Sequence, residues 1–395
     1  MKHIALLGCG TVGGGVAAVC RENAAYLEKA VGEAVDLKYI LMRRPCPGED
    51  WADRVVTDFS VIERDPEIEA VAECIGGCGA AYDYVKRALL AGKSVATANK
   101  QLIAEHGREL LEIARARGVL LLFEASVGGG IPIIRPLTNC LAANRIDSVC
   151  GIVNGTTNYI LTQMLQCARS FEDALAEAQR LGYAEADPTA DVDGIDAQRK
   201  LCILADLCFG SELPPARVPT EGIRSVTATD AAMADRLGYA IKLLARAERT
   251  GDGRFTAFVA PQLVKNGSLF SGVGGVMNAV TVRGNAVGEL FFYGAGAGRM
   301  PTASAVVADL IDCLCRDGSR GEPVWGPEEP ERFAAPDTLE TRWYVRYTGG
   351  CANDWTERCE SDNGWCAAIT PALTRTELER RTAGLSLERA FRVFD

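Results

Sequence analysis

The stretch Ile4-Ala5-Leu6-Leu7-Gly8-Cys9-Gly10-Thr11-Val12-Gly13 decides the fold. Its four apolar residues read as a short buried strand, and the glycines that follow make a tight turn into a helical spacing over Val16 to Lys29. Such a turn lets a pyrophosphate approach bare backbone, while the first amides of the helix face the anion. Gly8, Gly10, Thr11, Val12 and Gly13 are therefore expected to contact a dinucleotide. A glycine-rich surface turn is the competing reading, and the surroundings weigh against it. Val35 to Met42, Ala70 to Ile75, Ser94 to Thr97 and Val119 to Phe123 read as further strands, with helical stretches at Tyr82 to Ala91 and Gln101 to Arg117. This alternation predicts an α/β chain whose residues 1–134 form a doubly wound parallel sheet of Rossmann type. The apolar helix predicted over 302–317 is expected to complete that domain.

Downstream, Arg145 to Asn154 reads as a strand, and Tyr159 to Arg169, Phe171 to Leu181 and Ile195 to Phe209 as helices. Strands follow at Phe255 to Leu263 and Ala279 to Val287. Residues 135–301 are thus expected to be an α+β domain for substrate binding and dimerisation. Gly321 to Pro336, proline-rich and polar, is expected as a linker to a small α+β unit at 337–395.

A net charge of -10 and a pI near 5.0 oppose binding of a phosphate backbone, so nucleic acid is not an expected partner. No apolar run reaches the roughly 18 residues of a membrane span, and residues 1–10 read as folded strand rather than signal peptide, so a cytoplasmic location is expected. The 15 cysteines are odd in number and scattered, as reduced core thiols would be. Cys74 with Cys78, Cys313 with Cys315, and the series Cys351, Cys359, Cys366 lack the usual zinc-ligand spacing.

An acidic residue at the end of the second strand would bond the ribose of NAD, whereas arginine accommodates the 2′-phosphate of NADP. Here the strand ends in Met42-Arg43-Arg44, which favours NADP(H) over NAD(H) unless both arginines are solvated surface charge. Asp196 and Lys200 stand four apart on one helix face and can pair. Reduction of a carbonyl develops negative charge on oxygen, and a positioned ammonium stabilises it and delivers the proton. Histidine often fills that role, yet only His3 and His106 exist and neither lies in a motif.

Several separated motifs together resemble those of homoserine dehydrogenases. They are the glycine turn, Thr97-Ala98-Asn99-Lys100, Glu124-Ala125-Ser126-Val127-Gly128-Gly129-Gly130-Ile131-Pro132, and Gly151-Ile152-Val153-Asn154-Gly155-Thr156-Thr157-Asn158-Tyr159. Gly182-Tyr183-Ala184-Glu185-Ala186-Asp187-Pro188 follows, then Asp191, Asp196 and Lys200, and Tyr293-Gly294-Ala295-Gly296-Ala297-Gly298 before Pro301-Thr302-Ala303-Ser304-Ala305. The resemblance covers roughly residues 1–320. It implies reversible NAD(P)-dependent interconversion of L-homoserine and L-aspartate 4-semialdehyde, in the biosynthesis of threonine, methionine and isoleucine. It also implies Lys200 as proton donor and acceptor, Lys100 as the second lysine at the reacting oxygen, and Asp196 as the partner of Lys200. Glu185 and Asp191 would meet the substrate ammonium, and Asn154, Gly155 and Thr156 would line the substrate. Ala98, Asn99, Lys100, Gly296 and Gly298 would lie at the cofactor. Backbone oxygens of Glu124, Val127, Gly129 and Ile131 would hold a monovalent cation, Na+ or K+, and the subunits would form a homodimer or higher homo-oligomer.

The family often carries a regulatory ACT domain at its end. Arg342 to Thr348 suits its first strand, Thr374 to Arg381 a helix and Ala390 to Val393 a last strand. Gly349 to Asn363 lacks the turn that opens the domain's first helix, so a shortened or diverged version with little response to threonine is expected. Two other readings stay open: another lysine-dependent amino-acid dehydrogenase, and a nucleotide-binding regulator without catalysis.

Overall fold

The computed structural model describes the chain except residues 45–50, 316–321, 350–354, 356 and 361–363. Two compact units emerge, one from residues 1–146, 202–215 and 283–328, the other from 147–201, 216–282 and 329–395.

The first unit is built on β1 (Lys2–Leu7), β2 (Val35–Leu41), β3 (Val55–Val56), β4 (Ile68–Glu73), β5 (Ser94–Thr97) and β6 (Leu121–Leu122), in the order β3-β2-β1-β4-β5-β6. Every pair is parallel. Strand order therefore reverses between β1 and β4, and a doubly wound sheet binds ligands outside the carboxyl ends of the strands at such a point. Apolar residues of the sheet, among them Ile4, Leu6, Ile40 and Ala70, pack on Val16 and Val19 of the helix Thr11–Glu22 and on Val306 and Leu310 of the helix Arg299–Cys315. Burying each such side chain contributes about 1.5–3 kcal/mol. The helix expected from Val16 to Lys29 is two helices, Thr11–Glu22 and Ala24–Val31, because Asn23 leaves helical geometry (φ −106°, ψ 19°). The helix expected over 302–317 starts earlier, at Arg299, and is described to Cys315; residues 316 and 317 lie outside the described residues.

The second unit contains β7 (Ile146–Ile152), β8 (Tyr239–Arg249), β9 (Phe255–Lys265) and β10 (Met277–Gly284); β11 (Gly288–Ala295) belongs to the first unit. The tail adds β12 (Trp343–Thr348), β13 (Glu357–Glu360), β14 (Cys366–Ile369) and β15 (Ser386–Phe394). Their order in the second unit is β10-β7-β8-β9-β15-β12-β14-β13. β15 runs parallel to β9, whereas β8 with β9 and β12 with β15 are antiparallel. The tail's hydrophobic cluster includes Trp343, Val345, Tyr347, Ala368 and Leu378. A buried pair, Arg346 Nε to Asp230 Oδ1 at 2.7 Å, fixes β12 to the helix Ala228–Arg236. The helix of the tail is Arg375–Thr382, and most of 349–363, where the first ACT helix was expected to be missing, lies outside the described residues.

The proline-rich stretch expected as a linker alternates exposed residues with buried anchors. Trp325 is buried edge-on to Phe123 at 5.9 Å within the first unit, and Phe333 meets Phe255 within the second. Among the described residues no helix is long and apolar enough to cross a membrane.

Candidate active site

In the first unit β1 delivers the chain to Gly8, whose φ of +86° is a left-handed conformation suited to glycine. The helix Thr11–Glu22 starts at once, with Gly10 as a cap that makes no side-chain hydrogen bond, so its first amides point outward from the turn. Gly13 packs so closely that a Cβ there would lie 1.9 Å from the Gly8 carbonyl oxygen. The turn thus brings glycine backbone beside the end of β4, against Cys74 and Ile75. Arg43 and Arg44 are exposed immediately beyond the end of β2.

A buried carboxylate that the motifs did not single out ties the neighbouring loops together. Glu73, at the end of β4, accepts hydrogen bonds from the Ile75 amide (2.7 Å), the Gly76 amide (3.1 Å) and the Thr97 hydroxyl (2.5 Å). Asn99 continues the chain of contacts, donating from Nδ2 to the Gly77 carbonyl (2.6 Å) and accepting the Leu102 amide (3.1 Å) as the cap of the helix Lys100–Arg117. Ala98 and Lys100 flank that cap, half-buried. The one sequence signal for Glu73 is an acid within the otherwise apolar run Ala70 to Ile75.

The turn 124–131 is held from within. The Glu124 carboxylate accepts the amides of Ile133 (2.5 Å), Ile134 (2.8 Å) and Arg135 (2.7 Å). The Glu124 amide in turn donates to Asp309 Oδ2 at 2.8 Å. Gly129 (φ +56°) lies against the backbone of Gly296, where a Cβ would come within 2.4 Å of the Gly296 carbonyl oxygen. Gly298 precedes the helix Arg299–Cys315, and its carbonyl accepts the Thr302 amide at 3.1 Å.

In the second unit four expected residues form one network. Lys200 is buried, and its Nζ donates to Asp196 Oδ2 (2.7 Å) and to the Val153 carbonyl (2.6 Å). Asn154 Nδ2 donates to the same Asp196 oxygen (2.9 Å) and to Asp191 Oδ1 (2.7 Å). Asn154 Oδ1 accepts the Thr157 amide (2.8 Å), capping the helix Gly155–Cys167. Burial, with the Asp196 charge adding to it, raises the Asp191 carboxyl above its ordinary range. Gly155 sits where a Cβ would be 2.7 Å from the Val276 carbonyl, and Thr156 donates to the Tyr183 carbonyl (2.7 Å). Glu185 is exposed, its backbone carbonyl held by Gln179 Nε2 at 3.1 Å. The network is a buried ammonium held in one direction by fixed acceptors, beside carboxylates suited to a cationic ligand.

Two family models match this chain: "Homoserine dehydrogenase, NAD binding domain" over residues 8–124 and "Homoserine dehydrogenase" over residues 132–311. It is 49% identical over 312 residues to the homoserine dehydrogenase of Pseudomonas aeruginosa, covering 79% of this chain and 72% of that one. With the Synechocystis enzyme the identity is 45% over 357 residues, covering 87% and 82%. The solved structure of a homoserine dehydrogenase from Thiobacillus denitrificans superposes with a TM-score of 0.89 at 36% identity, over 100% of this chain and 98% of the other. A hyperthermophilic archaeal homoserine dehydrogenase mutant, solved in complex with NADPH, superposes with a TM-score of 0.68 at 29% identity, over 79% and 98%.

Proposed function

Because the chain belongs to the homoserine dehydrogenase family, an oxidoreductase family acting on a CH–OH group, we propose how its residues divide the work of that reaction. The observation that carries the reading is the buried Lys200 ammonium, aimed by Asp196 and by the Val153 carbonyl. In the reducing direction Lys200 Nζ gives a proton to the aldehyde oxygen of L-aspartate 4-semialdehyde as negative charge gathers there. In the oxidising direction the neutral amine takes the proton from the hydroxyl of L-homoserine. Asp196, itself held by Asn154 Nδ2, and the Val153 carbonyl hold Nζ in place. Asp191 and the exposed carboxylate of Glu185 receive the substrate ammonium, and Asn154, Gly155 and Thr156 shape the wall beside it. Lys100, at the start of the helix Lys100–Arg117, is the second lysine of this reading.

A nicotinamide dinucleotide, when bound, supplies or accepts the hydride. The open backbone of Gly8, Gly10, Thr11, Val12 and Gly13 fits its pyrophosphate, since a side chain at Gly13 would fill the turn. Ala98, Asn99 and Lys100 and the glycines 296 and 298 complete the cofactor side. Preference for NADP(H) is supported by the exposed Arg43 and Arg44, two guanidiniums suited to a 2′-phosphate. Backbone carbonyls of Glu124, Val127, Gly129 and Ile131 would supply an all-oxygen donor set suited to Na+ or K+, with the Glu124 carboxylate already committed to amides. A homodimer or higher homo-oligomer in the cytoplasm belongs to the same proposal and rests on the family likeness. Steady-state assays with L-aspartate 4-semialdehyde test it. NADPH should be consumed with a higher kcat/KM than NADH, and absence of turnover with either would overturn it.

A further inference from the structure

Spacing along the chain gave no zinc-like pattern, because the donors that converge come from two helices. Cys78 caps the start of the helix Gly79–Leu90, while Glu105 and His106 lie on the helix Lys100–Arg117. The ligand atoms of Cys78, Glu105 and His106 all fall within 4.8 Å of one another. Cys78 Sγ is 3.2 Å from Glu105 Oε2.

We propose that Cys78, Glu105 and His106 form a surface site for a divalent cation of the zinc class. The donor set is one thiolate sulfur, one imidazole nitrogen and one carboxylate oxygen, which a borderline cation accepts together while calcium and magnesium prefer oxygen alone. Around tetrahedral zinc, bond lengths of about 2.0–2.3 Å put neighbouring donors about 3.3–3.8 Å apart. Cys78 and Glu105 already stand close to that separation, side-chain rotations of about an ångström bring the three donors to it together, and water completes the fourth position. The imidazole is already oriented. Its ring lies on that of Tyr82 (centroids 4.5 Å apart), whose hydroxyl is held by Glu109 at 2.8 Å. On binding, the Cys78 thiol loses its proton to solvent and the sulfur–metal bond replaces the S–H bond.

The site has a consequence for the neighbouring loop. Gly77, next to Cys78, is fixed by Asn99, so a cation would staple the β4 exit loop to the helix Lys100–Arg117. It needs none of the catalytic groups proposed above.

The test uses the full reduced chain after chelator treatment, titrated with Co2+ as the spectroscopic probe. One equivalent should produce the near-ultraviolet thiolate-to-cobalt charge-transfer band and tetrahedral visible bands, both erased by Zn2+. In Cys78→Ser the charge-transfer band should vanish, and in His106→Gln affinity should fall by at least about tenfold. A thermal melt of each variant without metal establishes that it is folded. Absence of the band in the parent, or its persistence unchanged in Cys78→Ser through one of the other cysteines, would overturn the proposal.

Discussion

Replacing Asp309 by asparagine tests the electrostatics that hold the turn 124–131. Asp309 is 3% exposed, receives the Glu124 amide at 2.8 Å and lies 3.3 Å from Arg135 Nη2, which also pairs with Asp312 at 2.6 Å. Burial above all, and then the Glu124 charge, push its carboxyl from the ordinary 3.8 up to about 7. Between those values the unfolded chain has released this proton and the folded chain has kept it. Stability therefore falls as pH rises through the window, by about 1.4 kcal/mol per pH unit, or about 4 kcal/mol across it. Asparagine still offers an oxygen to the Glu124 amide and, like the protonated carboxyl, cannot carry charge, so it removes the slope. Urea unfolding followed by circular dichroism at pH 5 and pH 8 measures the effect. The variant should gain about 3 kcal/mol relative to the parent between pH 5 and pH 8. A difference that stays constant with pH would show that Asp309 titrates normally and refute the reasoning.

Gly13→Ala should weaken NADPH binding about a hundredfold, read by fluorescence titration, because its Cβ would meet the Gly8 carbonyl and shift the turn. Binding at the parent's affinity would remove the pyrophosphate from this turn. Replacing Arg43 and Arg44 together by glutamate should lower kcat/KM with NADPH relative to NADH by about tenfold or more, the loss of at least one charge-assisted hydrogen bond. An unchanged ratio would return both arginines to surface charge. L-Threonine should leave steady-state rates of the purified chain essentially unchanged, and potent saturable inhibition would contradict the reading of the tail.

Much of the first unit was legible because its signals are local. The apolar runs that became β1, β2, β4 and β5 are bounded by glycine or polar turns, and the Ser94–Thr97 strand appears with the expected bounds. β8 was not read as a strand. Lys242, Arg246 and Glu248 interrupt its apolar residues, and its identity comes from eleven paired residues along β9 rather than from its own pattern. Lys242 is tolerated there because it donates to Asn158 (3.1 Å) and the Val273 carbonyl (2.6 Å), contacts invisible in sequence. In the site, the Asp196–Lys200 pair followed from helical spacing. Asn154, by contrast, reaches Asp191 across 37 residues of chain, and the Glu73 clamp draws its partners from the β4 exit loop and from the end of β5. Trp325 shows the same limit: proline and charge in 321–336 give no sign of the indole that is buried there.

The central claim is that Lys200 moves the proton on the substrate oxygen. NADPH oxidation with saturating L-aspartate 4-semialdehyde should lose about a hundredfold or more in kcat in Lys200→Ala, the scale of one positioned acid–base group, while NADPH affinity is unchanged. Equal turnover by parent and variant would contradict the account.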